Sequence, residues 1–115
     1  MEYVIGAIVL YMIYRKITAP KVEHINMNKV HEMLKEKKVK RQFIDVRTAG
    51  EFNSNKIKGF KNMPLPSLKN KLEMISKEEP IVLMCASGSR SMRAARVLSK
   101  AGYKNLINVK GGIKS

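Results

Sequence analysis

The chain has 115 residues, of which 44% are hydrophobic and 28% charged, which allows one folded domain with a small core and excludes a disordered chain. The 23 Lys and Arg outnumber the 9 Asp and Glu and give a net charge of +14, so we expect an anionic partner unless the lysines form only a solvated surface. The single Cys excludes an internal disulfide and suits a reducing compartment, and the scattered basic residues, with no aromatic RNA-binding signature, disfavour nucleic acid.

The first predicted element is a short apolar helix. Residues 3–14 carry no charge and have tyrosines at both ends, and Arg15 and Lys16 follow directly. The run is too short for a relaxed hydrocarbon core of ~30 Å. Interfacial tyrosines, snorkelling basic side chains and local thinning of the bilayer nevertheless favour a membrane anchor over residues 1–17. The rest of the chain is then expected on the cytoplasmic side of the cell membrane, and a core or oligomerisation helix of a cytoplasmic protein is the alternative.

Residues 18–21 are predicted to be a linker, and residues 22–115 a folded domain in which strands alternate with helices. The predicted elements are an edge strand at 22–25, a helix that begins after its N-cap Asn26 and ends in the lysine-rich stretch 35–40, a strand at 43–46, a helical turn at 50–53, a helix at 67–75, a strand at 81–84, a helix at about 91–100 and a strand at 106–109. This alternation predicts an α/β fold with a mainly parallel sheet.

The strongest chemical signal stands at the end of the strand 81–84. That strand is apolar throughout, which is typical of burial on both faces, and Cys85 follows it directly. Ligands bind at the carboxyl ends of strands in open α/β sheets, and the next helix would present free N–H groups there. Such a site stabilises an anion, so we expect a depressed pKa for the Cys85 thiol. Gly88 lets the loop turn back, and Arg90 supplies a guanidinium for a bound oxyanion or for tying down the loop.

Four motifs along residues 22–115 have a familiar order. They are Asp45-Val46-Arg47 with Glu51-Phe52, Ile57-Lys58-Gly59 with Asn62-Met63-Pro64-Leu65, the loop from Cys85 to Arg90, and Val109-Lys110-Gly111-Gly112-Ile113. Together they resemble the single-domain rhodaneses. The resemblance implies a rhodanese-like α/β fold, with a mainly parallel central sheet flanked by helices, here preceded by the short apolar helix.

The resemblance also implies a sulfurtransferase that needs no cofactor. Cys85 would take the outer sulfur of a thiosulfate or persulfide donor, hold it as a persulfide and pass it to a thiol or other nucleophile. Backbone amides of the loop would stabilise the persulfide; the loop residues are Ala86, Ser87, Gly88, Ser89 and Arg90. Asp45 and Arg47 would be a structural ion pair that braces the loop. No metal is expected, since His24 and His31 lack metal-ligand spacing.

Two departures from the family pattern and three alternatives bear on this hypothesis. Lys56 stands where members often have His, and Ala86 where many have Arg, which removes a cation beside the persulfide and weakens the case for thiosulfate. A related phosphatase would need a larger loop than the four residues between Cys85 and Arg90. A redox-sensing or partner-binding module without turnover is the second alternative, and an anionic-surface binder whose Cys is incidental is the third.

Overall fold

Within residues 2–18 and 21–115, which the computed structural model describes, five strands form one parallel sheet. The strands are β1 (Val22–Ile25), β2 (Gln42–Asp45), β3 (Lys61–Asn62), β4 (Ile81–Met84) and β5 (Leu106–Val109). The α-helices are α1 (Glu2–Thr18), α2 (Met27–Lys35), α3 (Ala49–Ser54) and α4 (Ser89–Lys100), and 3₁₀ helices cover Leu65–Met74 and Gly112–Lys114. The spatial order is β1-β5-β4-β2-β3, so β4 is the central strand.

The core lies on both faces of β4, all four residues of which are buried. Because successive side chains of a strand point to opposite faces, Ile81 and Leu83 pack in the cluster that contains the buried face of α4. Val82 and Met84 pack in the cluster that contains the buried face of α2. This confirms the predicted strand buried on both faces. It also confirms the predicted α/β fold, in which helices flank a parallel sheet.

Local sequence signals set the starts of the helices. Asn26 caps α2 by accepting a hydrogen bond from the Lys29 N–H at 3.0 Å. At the start of α3, the Thr48 hydroxyl and the Glu51 carboxylate each bond the other residue's N–H, which forms a capping box. At the start of α4, Gly88 takes a left-handed conformation with a φ of 96°. Each signal fixes the direction in which a helix leaves the carboxyl edge of the sheet.

Three element predictions need correction. The helix predicted at 67–75 is the 3₁₀ helix Leu65–Met74, with non-helical torsions at Lys71. The Tyr103 hydroxyl lies within hydrogen-bonding distance of the carbonyls of Leu72 and Ile75, at 2.9 and 2.8 Å. These carbonyls at the helix end therefore have a hydrogen-bond partner without a further helical turn. Helix α4 begins at Ser89 rather than near residue 91. Strand β3 was not predicted, because two residues are too few for a periodic pattern.

The apolar amino-terminal segment forms α1, in which the side chains from Tyr3 to Arg15 are all exposed. Its 17 residues span about 25 Å, and its last turn carries Arg15 and Lys16. Within the described ranges, no helix combines the length and the hydropathy that crossing a bilayer requires. The predicted membrane anchor over residues 1–17 is therefore not supported. Of the predicted linker at 18–21, residues 19 and 20 lie outside the described residues.

Candidate active site

Hydrogen-bond donors converge on the sulfur of Cys85, directly after β4. The Gly88 N–H donates to Sγ at 3.0 Å, and the Ser91 N–H at 3.4 Å. The Ser91 hydroxyl lies 3.4 Å from the same sulfur. Cys85 itself is 0% exposed. The thiol therefore lies inside a ring of backbone and side-chain donors, at the edge of the sheet where the sequence predicts a ligand site.

This ring of donors lowers the pKa of the Cys85 thiol. Burial raises the pKa of Cys85, since it disfavours a charged sulfur. Hydrogen bonds from Ser91 and from the amides of Ser87 and Gly88 outweigh burial and hold the pKa of Cys85 below its ordinary value. The thiolate, which is the nucleophilic form, is favoured. Of the loop amides predicted to stabilise sulfur, those of Ala86, Ser89 and Arg90 make no hydrogen bond to Sγ in the part of the chain that the structure describes.

The Gly-Gly pair near the end of the chain lies against the backbone of the loop. A Cβ at Gly112 would lie 2.2 Å from the Ala86 carbonyl oxygen and 2.6 Å from that of Cys85. The Ile113 N–H donates to the Cys85 carbonyl at 2.9 Å. Only a glycine fits this contact, so the backbone of the Gly-Gly pair packs directly against the loop that follows Cys85.

Arg90 is paired with Glu51 from α3. Its Nη1 and Nη2 donate to Glu51 Oε1 and Oε2 at 2.6 and 2.8 Å. These bonds, together with the Thr48 N–H, lower the pKa of Glu51 from 4.5 to about 2. The sequence left two roles open for the guanidinium, and this geometry favours tying down the loop, because both of its ends are already engaged.

A buried ion pair lies beside the loop, at the end of β2. Arg47 Nη2 donates to Asp45 Oδ2 at 2.8 Å and Arg47 Nε to both carboxylate oxygens at 3.1 Å. Arg47 Nη2 also donates to the Asn55 carbonyl at 2.5 Å. The Val46 N–H, between the paired residues, donates to the Met84 carbonyl one residue before Cys85. Asp45 and Arg47 thus lie in the contact that the resemblance implies, and their supporting role stays a prediction.

Two polar side chains near the thiol were not predicted from the sequence. The Ser91 hydroxyl lies 2.5 Å from Asn108 Oδ1, and Asn108 Nδ2 lies 3.3 Å from His24 Nδ1. Asn108 is 2% exposed and Ser91 0% exposed. A polar residue inside the apolar strand Leu106–Val109 was the signal that could have indicated Asn108. Among the described residues, no group of His, Cys, Asp and Glu is arranged to hold a metal ion.

The geometry defines a class of protein: a parallel α/β sheet whose central strand ends in a cysteine that the first turn of the next helix surrounds with donors. The chain belongs to the family of the rhodanese-like domain, whose model matches residues 26–115. The predicted family and its fold are therefore confirmed for the domain, while the predicted anchor in front of it is not.

The chain is similar to known bacterial proteins. The chain is 43% identical over 75 residues to the uncharacterized protein YqhL of Bacillus subtilis, a match that covers 65% of this chain and 60% of YqhL. It is 27% identical over 93 residues to the thiosulfate sulfurtransferase GlpE of Shewanella oneidensis, covering 81% of this chain and 90% of that protein. A crystal structure of a rhodanese-like domain protein from Staphylococcus aureus has a TM-score of 0.73 at 28% identity, covering 80% and 88% of the two chains.

Replacing Ser91 by alanine should move the pH profile of the reaction of Cys85 with iodoacetamide to higher pH. The change removes a hydroxyl that lies 3.4 Å from the sulfur and that lowers the pKa of the thiol. At a pH below the pKa of the thiol, losing one hydrogen bond to a charged group, roughly 1.4 kcal/mol, slows alkylation about tenfold. Ser99→Ala, farther along the same helix, is the matched control and should leave the profile in place. An unchanged profile in Ser91→Ala would show that the backbone amides alone set the pKa of Cys85.

Removing the Glu51 carboxylate should destabilise the protein at pH 6 but much less at pH 2.5. Folding depresses the pKa of Glu51 from 4.5 to about 2, so its contribution is fully present above pH 4.5 and is lost as the pH falls toward 2. Urea unfolding of the unmodified chain and of Glu51→Gln at both pH values measures the two differences. Equal differences would contradict a charged pair with Arg90.

Proposed function

We propose that this chain is a sulfurtransferase that carries a sulfane sulfur on Cys85. The observation that supports it is the convergence of Gly88 and Ser91 donors on a thiol whose pKa is lowered. The Cys85 thiolate attacks the outer sulfur of the donor, whose sulfur–sulfur bond breaks and releases a thiolate or sulfite. An acceptor thiolate then attacks the outer sulfur of the Cys85 persulfide, which returns Cys85 as a thiolate and leaves a persulfide on the acceptor.

The donor is better supported as a persulfide than as thiosulfate. Thiosulfate brings two negative charges to the site, and a persulfide brings one. The first loop residue is Ala86, which adds no cation, and the guanidinium of Arg90 is bound to Glu51. GlpE of Shewanella oneidensis is named a thiosulfate sulfurtransferase, so both donors belong in the test. The partners we propose are a small sulfur donor and a thiol or other nucleophilic acceptor.

The alternatives are less well supported by the site. A phosphatase needs a free guanidinium over the bound phosphate, and Arg90 is engaged with Glu51 at both ends. A redox sensor would be trapped as a sulfenic acid at Cys85 and would gain no sulfur from a donor. A partner-binding module without turnover does not require donors that lower the pKa of a thiol.

Intact-protein mass spectrometry tests the proposal. The full chain is treated with thiosulfate and, separately, with cysteine persulfide. We expect a gain of one sulfur atom, larger with cysteine persulfide, that cyanide or dithiothreitol removes and that Cys85→Ser abolishes. A folded protein whose Cys85 alkylates rapidly but gains no sulfur from either donor would overturn the proposal and favour a regulatory module.

A further inference from the structure

The solvent-facing side of α4 is cationic from Arg93 to Lys100. Four residues of this helix are exposed, and three of them are Arg93, Arg96 and Lys100, the fourth being Ser89. At about 100° per residue, the three cations fall within about 60° of the helix circumference. They form one stripe, which we call the α4 stripe, on the helix whose first turn contacts the Cys85 sulfur.

Within the described residues, no salt bridge neutralises a cation of the α4 stripe. Residues 81–115 contain seven Lys and Arg and no Asp or Glu, whereas all 9 acidic residues of the chain precede them. Like charges three or four residues apart on a helix repel each other by a few tenths of a kcal/mol. An anionic surface bound along α4 would attract the three cations and so offset the repulsion between them.

The position of the stripe indicates a macromolecule rather than a small donor. Helix α4 has 12 residues and is about 18 Å long, and the sulfur lies at its amino-terminal end. Because Cys85 is 0% exposed, an acceptor must insert a slender group while the rest of its surface stays outside. A protein that does so at the start of α4 can cover the stripe, whereas a small molecule at the sulfur cannot reach Lys100.

Among macromolecules, the exposed residues of α4 favour an acidic protein. They include no aromatic side chain on which a nucleic-acid base could stack. They include no large apolar side chain that could enter a lipid headgroup region. A protein can also carry the thiol that sulfur exchange requires. We propose that the α4 stripe docks an acidic protein that exchanges sulfur with Cys85, an inference that rests on the proposed function.

Peptide acceptors of matched length test the docking surface. Each has one Cys, followed by a run of Glu, of Gln or of Lys. The full chain is first loaded with sulfur from cysteine persulfide, and transfer to each peptide is followed by mass spectrometry. We expect the Glu peptide to have a kcat/KM about tenfold above the Gln peptide at low salt, with the Lys peptide below both. At about 1 M salt, where charges are screened beyond about 3 Å, the preference should disappear.

Reversing the charge of two arginines tests whether the preference for the Glu peptide comes from the α4 stripe. The double variant Arg93→Glu/Arg96→Glu should reverse the preference for the Glu peptide. The matched control Lys37→Glu/Lys38→Glu changes the net charge equally, in an exposed turn after α2, and should keep the preference. After loading with sulfur, both variants should transfer it to free cysteine at the rate of the unmodified chain, because none of these side chains contacts the sulfur of Cys85. No preference for the Glu peptide, or equal loss in both variants, would overturn the docking surface while leaving sulfur transfer intact.

A binding measurement separates this inference from the proposed function. The Glu peptide with Ser in place of Cys, labelled with a fluorophore, should bind the full chain and lose affinity only in Arg93→Glu/Arg96→Glu. That result supports the docking surface even if no persulfide forms on Cys85. Tighter binding of single-stranded RNA or of phosphatidylglycerol vesicles through the same two arginines would overturn the acidic-protein partner.

Discussion

Replacing Gly112 by alanine should destabilise the protein by about 2–4 kcal/mol and slow alkylation of Cys85, because the new methyl group would occupy the space of the loop that follows Cys85. Its Cβ would lie 2.2 Å from the Ala86 carbonyl oxygen and 2.3 Å from the Ala86 carbonyl carbon. Both are backbone atoms, so the loop itself must move. Urea unfolding and the alkylation rate of Cys85 measure the two effects on the same protein.

The neighbouring glycine provides a matched control. Gly111 has a φ of 81° and Gly112 a φ of 75°, so alanine is strained at both positions to a similar degree, about 1–2 kcal/mol. The nearest atom to a Cβ at Gly111 is the Cβ of Ser115, at 3.0 Å, in the last residue of the chain. Gly111→Ala should therefore cost only the strain and leave the alkylation rate nearly unchanged. If Gly112→Ala behaved in the same way, the glycine would not be supporting the loop.

Strand β4 and helix α2 could be predicted because their signals are local. Strand β4 follows from four consecutive apolar residues between Pro80 and Cys85, and α2 from its N-cap Asn26 and a periodic apolar face. The 3₁₀ helix Leu65–Met74 could not be predicted as such, since its end is bonded by Tyr103, which lies 28 residues after Ile75 in the chain. Contacts at that separation leave no periodic pattern in the sequence.

The candidate site also combines residues with local signals and contacts between residues that are distant in the chain. Cys85 and Gly88 could be predicted because a buried strand, a glycine and a helix start are adjacent in the chain. The contacts that complete the site join distant residues: Arg90 with Glu51, 39 residues apart, and Ser91 with Asn108, 17 residues apart. Only the fold brings these pairs together. The role of Gly112 could be anticipated only from the family resemblance, since nothing local indicates what its backbone contacts.

Replacing Arg47 by methionine should lower the free energy of unfolding by about 3–5 kcal/mol, the second large effect that the structure predicts. Asp45 is 0% exposed and Arg47 is 4% exposed, so removing the guanidinium leaves a carboxylate in the core without its counter-charge. Methionine keeps most of the length of the side chain, so the loss reflects charge more than packing. Chemical unfolding at pH 7 gives the change in free energy.

Two further variants test whether the effect comes from the buried charge. Lys29→Met removes a cation that lies 3.7 Å from Glu32 in a pair whose side chains are 53% and 69% exposed, and should cost less than about 1 kcal/mol. Adding Asp45→Asn to Arg47→Met should recover part of the loss, because a neutral amide no longer needs a counter-charge and its oxygen can still accept the N–H of residue 47. A loss in Arg47→Met no larger than in Lys29→Met would contradict a charged buried pair.

The ion pair should also affect the reactive thiol, although neither side chain contacts the sulfur. The backbone of Val46 donates to the Met84 carbonyl, and the Asn62 amide donates to the carbonyls of both Asp45 and Arg47. The Val46 bond holds the end of β2 against the end of β4, where Cys85 begins the loop, and the Asn62 bonds hold it against β3. We therefore expect Arg47→Met to slow alkylation of Cys85 even below the denaturant concentration at which it unfolds. An alkylation rate equal to that of the unmodified chain would show that the ion pair affects only the stability of the fold.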